Sequence, residues 1–113
     1  MVRLSLSLHA PTFQARAIED ALRTLMRATR LEPGCLGCQV WTIPEEEGQA
    51  GTEVHCEERW ATERAMKTRV RSDAFTKVLQ ILEAAAERPC VEFDFVSRQE
   101  GLEYVEAVRR DRD

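Results

Sequence analysis

Between Val2 and Leu8 every second residue is apolar: Val2, Leu4, Leu6 and Leu8 alternate with Arg3, Ser5 and Ser7. A strand sends successive side chains to opposite faces, so this pattern predicts a sheet with one buried face, which a second layer must cover. The chain writes that layer next. After Pro11-Thr12, the residues Ile18, Leu22, Leu25, Met26 and Thr29 recur at helical spacing up to the stop at Pro33-Gly34. Leu36 to Ile43 and Thr52 to Trp60 then read as two strands, paired as a hairpin across the acidic turn Pro44-Glu45-Glu46-Glu47-Gly48. A short helical piece from Glu63 to Val70 precedes the helix cap Ser72-Asp73, after which Phe75, Val78, Leu79 and Leu82 fall on one helical stripe. Beyond Pro89, Val91, Phe93 and Phe95 alternate with Glu92 and Asp94 as a fourth strand.

The order β-α-β-β-α-β predicts an α+β, ferredoxin-like fold, a four-stranded antiparallel sheet with both helices on one face. Residues 1–96 form one domain in this reading, a size able to bury its own core. Residues 97–113 form a charged tail in which Leu102, Val105 and Val108 keep helical spacing, too few apolar groups to hold a helix without docking it. With 16 basic residues against 20 acidic ones and no basic patch, nucleic acid is not an expected partner. No stretch reaches the roughly 18 apolar residues of a membrane span, and the start has no signal-peptide character, so a cytoplasmic protein with reduced cysteines is expected.

Strand parity assigns the two faces. If Leu4, Leu6 and Leu8 meet the helices, then so do Leu36, Cys38 and Val40, then Val54, Cys56, Glu58 and Trp60, and finally Val91, Phe93 and Phe95. The opposite face carries Ser5, Ser7, His9, Trp41, Ile43, His55 and Glu57. A single-layer sheet exposing Trp41 and Ile43 calls for a cover, and a second copy of the chain provides one, so a homodimer through the open face is expected. His9 and His55 then lie at or near that seam, as interface residues by default.

Three motifs carry a family resemblance: Leu31-Glu32-Pro33-Gly34-Cys35-Leu36-Gly37, Glu58-Arg59-Trp60 and Ser72-Asp73-Ala74-Phe75. In this order and spacing, over roughly Val2 to Val96, the chain resembles the antibiotic biosynthesis monooxygenase family. The resemblance implies a dimeric α/β barrel built from two ferredoxin-like protomers. It also implies oxygenation of small electron-rich aromatic molecules without metal or flavin, or, in one branch, haem degradation. The chain departs from the family where many members carry a helix His and this sequence has Arg69, and again at Ala74. The haem-degrading branch further needs an iron-ligating His, where this chain has Val78 and Leu79, and an Asn on the first strand, where it offers Ser5 and Ser7.

Among the helix-facing residues, Glu58 and Arg69 stand out as polar. One reading makes them the catalytic pair of a pocket, Arg69 steadying a phenolate, enolate or carboxylate and Glu58 orienting it or acting as base, with Trp60, Phe75, Cys38 and Cys56 lining the substrate site. The other makes them an ion pair that satisfies itself at the edge of the core. Cys35-Leu36-Gly37-Cys38 has the spacing of half a zinc or redox site, but Cys90 and His55 fall on the opposite face from Cys38 and Cys56, so no metal site is expected. The chain thus reads as a cofactor-independent, monooxygenase-like protein acting on a small aromatic or enolisable ligand. The alternative is a catalytically silent binding or regulatory dimer of the same fold.

Overall fold

The computed structural model describes residues 1–44, 51–85 and 87–111. The chain runs β1 (Val2–Ala10), α1 (Thr12–Thr29), β2 (Cys35–Pro44), β3 (Thr52–Trp60), α2 (Glu63–Val70), α3 (Asp73–Glu83), β4 (Cys90–Phe95) and α4 (Leu102–Arg110). The four strands form one antiparallel sheet in the order β2-β3-β1-β4, the expected ferredoxin-like arrangement. The Glu45–Glu47 turn lies outside the described residues.

β1 sits in the middle, and its alternation is realised in full. Val2, Leu4, Leu6 and Leu8 are buried under the helices, and Val54, Cys56, Glu58 and Trp60 of β3 lie opposite them in register. From α1, Ala15, Leu22, Met26 and Thr29 close on this face; α3 adds Phe75, Val78 and Leu82. Leu79, one step round the helix from Val78, is instead exposed. Ser72 caps α3 as its residue type predicts: its hydroxyl accepts from the Phe75 amide at 3.2 Å and donates to the Arg69 carbonyl at 2.6 Å, tying α3 to the end of α2.

Two placements differ from strict parity. Leu36, expected under the helices, is 54% exposed, because a bulge sets Leu36 and Gly37 together against Arg59 and returns the strand to register at Cys38. Val91, Phe93 and Phe95 do lie opposite Leu6, Leu4 and Val2, but α1 packs chiefly over β2 and β3 and leaves the β4 edge of this face open, Phe95 being 60% exposed. An apolar groove of about 370 Å³ results, between Phe93 and Phe95 on one side and Met66 and Val70 of α2 on the other. On the opposite sheet face Trp41 stacks on His55, with ring centroids 5.2 Å apart and planes 7° from parallel. The tail forms α4, whose Leu102, Val105 and Val108 are exposed.

Candidate active site

The end of β3 and the two turns of α2 bring the polar pair together. Glu58 and Trp60, two residues apart on a strand, share a face by parity. The chain then turns, with the Ala61 amide donating to the Gly34 carbonyl at 2.8 Å, and α2 starts at Thr62, whose hydroxyl accepts from the Ala65 amide at 3.1 Å. With its start fixed in this way, α2 delivers Arg69 onto Glu58. Arg69 Nε donates to Glu58 Oε1 at 3.0 Å and Nη2 to Oε2 at 3.1 Å, a two-pronged bond suited to the planar guanidinium. Trp60 Nε1 donates to the same Oε1 at 3.2 Å, and the Phe75 ring centroid lies 5.3 Å from Arg69 Cζ. Glu58 is 0% exposed and Arg69 1% exposed, so four residues singled out from the sequence form one buried cluster.

Both oxygens of Glu58 are engaged, and the carboxylate is closed off from any ligand. Arg69 is different. Its Nη1 is buried, donates no hydrogen bond among the described residues, and lies 3.8 Å from Glu32 Oε1, beyond hydrogen-bond reach. Arg69 also lines a cleft of about 520 Å³ on the outer side of α2, together with Trp60, Glu32, Gly34, Ala65 and Thr68. Gly34 is required at its position. It adopts φ of 84°, and a Cβ there would come within 2.6 Å of the Ala65 Cβ. That left-handed turn is what sets Glu32 over the mouth of the cleft. Glu32 belongs to the first of the three family motifs, but no periodicity marks it: it sits in a turn, and only the tertiary fold sets it against α2.

Cys38 and Cys56 lie elsewhere, packed in the main core beneath α1, and neither lines the cleft. Burial pushes the Cys38 thiol above its ordinary value; burial, reinforced by the Glu58 carboxylate, pushes that of Cys56 up to about 12. Phe75 faces the guanidinium from inside the core. No group of three His, Cys, Asp or Glu residues among those described is placed to share a metal ion.

The sequence profile of the antibiotic biosynthesis monooxygenase family matches residues 1–81. The chain belongs to the antibiotic biosynthesis monooxygenase family. Solved structures share the fold of this antibiotic biosynthesis monooxygenase domain. A candidate antibiotic biosynthesis monooxygenase from Deinococcus radiodurans is 23% identical, with a TM-score of 0.72, over 90% of this chain and 98% of the other. A Pseudomonas aeruginosa protein is 20% identical with a TM-score of 0.63 over 86% and 94%. One from Mycobacterium tuberculosis is 18% identical with a TM-score of 0.65 over 89% and 100%. No curated protein matches the chain.

The buried pair predicts strong mutational coupling in this family member. Removing one partner strands the other charge in the core, so Arg69→Met is expected to lower stability by about 3–5 kcal/mol. Adding Glu58→Gln to it should recover part of the loss; additive losses in urea unfolding would show that the two do not act as a unit. The thiols predict a second result. With folded-state values raised above those of the unfolded chain, Cys38 and Cys56 contribute stability that is complete below the ordinary thiol range and lost as pH climbs toward the raised values. At neutral pH, iodoacetamide should therefore modify the half-buried Cys35 in the native protein and reach Cys38 and Cys56 only after unfolding, as mapped by peptide mass.

Proposed function

We propose that the chain is a monooxygenase-like enzyme that holds a small phenolic or enolisable molecule in the cleft of Trp60 and Arg69, without metal or flavin. The observation that carries this reading is Arg69 Nη1, a buried cationic donor left without a hydrogen bond among the described residues, on a residue that lines an open cleft. Glu58 fixes the guanidinium from behind and holds its plane; Trp60 supplies an aromatic wall. A guanidinium so placed stabilises negative charge on a ligand oxygen, because a preorganised donor in a water-poor wall needs no reorganisation when the charge appears.

The chemistry this favours belongs to the ligand's anion. Once its proton is gone, an electron-rich phenolate or enolate passes one electron to O2, and the two radicals join to form a C–O bond. Loss of water from the resulting hydroperoxide leaves a carbonyl. One oxygen atom enters the product and the other leaves as water, both electron pairs coming from the substrate, so the balance needs no external reductant. Oxygen uptake by the purified chain with a panel of hydroquinones, naphthols and 1,3-diketones tests this. The expected result is uptake that places one atom of oxygen-18 in the product and one in water, abolished when Thr68→Trp fills the cleft. Binding without uptake would make the chain a silent binding module of this fold, in keeping with its fully engaged Glu58. Absence of both would remove the cleft as a site.

The same reading includes a homodimer closed through the open sheet face. Support comes from the stacked Trp41 and His55, and from a cavity of about 220 Å³ that these two rings share with Ser5, Ser7 and Cys90 on that face. Light scattering is expected to give a dimer at micromolar concentration, and Trp41→Glu, which places an unpaired charge in the seam, is expected to give monomers. A monomeric wild type would refute the arrangement.

A further inference from the structure

We infer that Glu32 is the proton acceptor of this cleft, taking the acidic proton of a bound phenol or enol while Arg69 Nη1 receives the resulting oxyanion. This rests on the proposed ligand site and adds to it the group that generates the reactive anion. The ligand O–H breaks, the proton joins a Glu32 carboxylate oxygen, and the electron pair stays on the ligand oxygen facing the guanidinium.

Three observations lead here. First, the carboxylate nearest the Arg, Glu58, is excluded by geometry: Oε1 accepts from Arg69 Nε and Trp60 Nε1, and Oε2 accepts from Arg69 Nη2, so both oxygens are already engaged. Among the described residues lining the cleft, Glu32 is the single carboxylate. Second, Glu32 Oε1 stands 3.8 Å from Nη1, close enough to lie beside the same ligand oxygen and too far to consume the Nη1 donor itself. A general base must come within hydrogen-bond reach of the proton it removes, and a ligand oxygen at Nη1 meets that condition.

Third, the position is built. The Glu32 amide donates to the Thr29 carbonyl at 3.1 Å, its own carbonyl accepts from the Cys35 amide at 3.1 Å, and the left-handed Gly34 locks the turn against Ala65. The backbone is thus fixed while the carboxylate, 32% exposed, keeps contact with water. It therefore has a route to discharge the proton after each cycle, which a sealed carboxylate such as Glu58 lacks.

The probe is 4-nitrophenol, whose ionised form has its own absorption band. At a pH below the ionisation point of the free probe, the spectrum of the bound probe shows whether it has lost its proton. Calorimetry in buffers of different ionisation enthalpy shows whether that proton has left the protein. The wild type is expected to bind the probe in its ionised form with no net proton released, because Glu32 keeps it. Glu32→Gln, an isosteric change at a partly exposed position, is expected to bind the ionised probe and release one proton to the buffer; Glu32→Asp is expected to restore retention. If the wild type binds the ionised probe and releases the proton, or binds it un-ionised, Glu32 is not the acceptor, although the ligand site stands. If the wild type does not bind the probe and Thr68→Trp behaves identically, the ligand site itself falls, and this assignment with it. Proton retention and probe ionisation are both read on the wild type, so a poorly folded substitution cannot blur the outcome.

Discussion

The Glu58–Arg69 bond holds the rest of the site in place. Two charges withdrawn from water are costly unless each is matched, and here the match is two-pronged, with the indole of Trp60 and the ring of Phe75 completing the surroundings. An eight-residue helix has little stability by itself. α2 persists because its last turn is bonded to the sheet, its first turn is capped by Thr62, and Met66 packs on Trp60 and Val2. The helix in turn divides the surface near the sheet end into two clefts of different character: a polar one at Arg69 and an apolar one at Phe93 and Phe95.

Charge placement at the site follows from how Arg69 is spent. A guanidinium offers five donors, and the geometry commits Nε and Nη2 to Glu58 and leaves Nη1 buried without a hydrogen bond among the described residues. A lysine in the same place would offer a point charge that a single carboxylate satisfies. Arg69 is thus suited to holding an anion rather than to shuttling a proton, and any proton transfer must fall to another group.

Much of this is legible in the residues themselves. Period-two alternation in β1 is enough to assign the faces of its neighbours, because register propagates across an antiparallel sheet; hence Glu58 and Trp60 point inward, and the spacing of Arg69 from Ala65 and Met66 brings it to them. Parity fails at Leu36, where a bulge adds one residue to the strand, an irregularity no alternation reports. Nor does it foretell that Phe93 and Phe95 face the helical layer yet remain open, since how far two helices extend over a sheet depends on packing angles rather than on pattern. It puts Cys38 and Cys56 on the correct face, but facing the helices is not the same as lining a cleft. Glu32 is invisible to such reasoning because turn residues carry no periodicity, and its neighbour across the cleft lies 37 positions away, as the numbers of Glu32 and Arg69 give by subtraction.

The bulge at Leu36 and Gly37 has a consequence for solubility. β2 and β4 are the rims of the sheet, and a rim is a template on which a foreign strand, or another molecule of the same chain, adds backbone hydrogen bonds without limit. At β2 the doubled residue throws the hydrogen-bonding groups out of step close to its start, and Pro44 at its far end has no amide to offer. β4 is only six residues long and carries Glu92 and Asp94 on its outward pleat. Each rim thus interrupts the regular ladder that fibrous growth requires, and the irregularity that spoils the alternation of the sequence also helps keep the sheet at four strands.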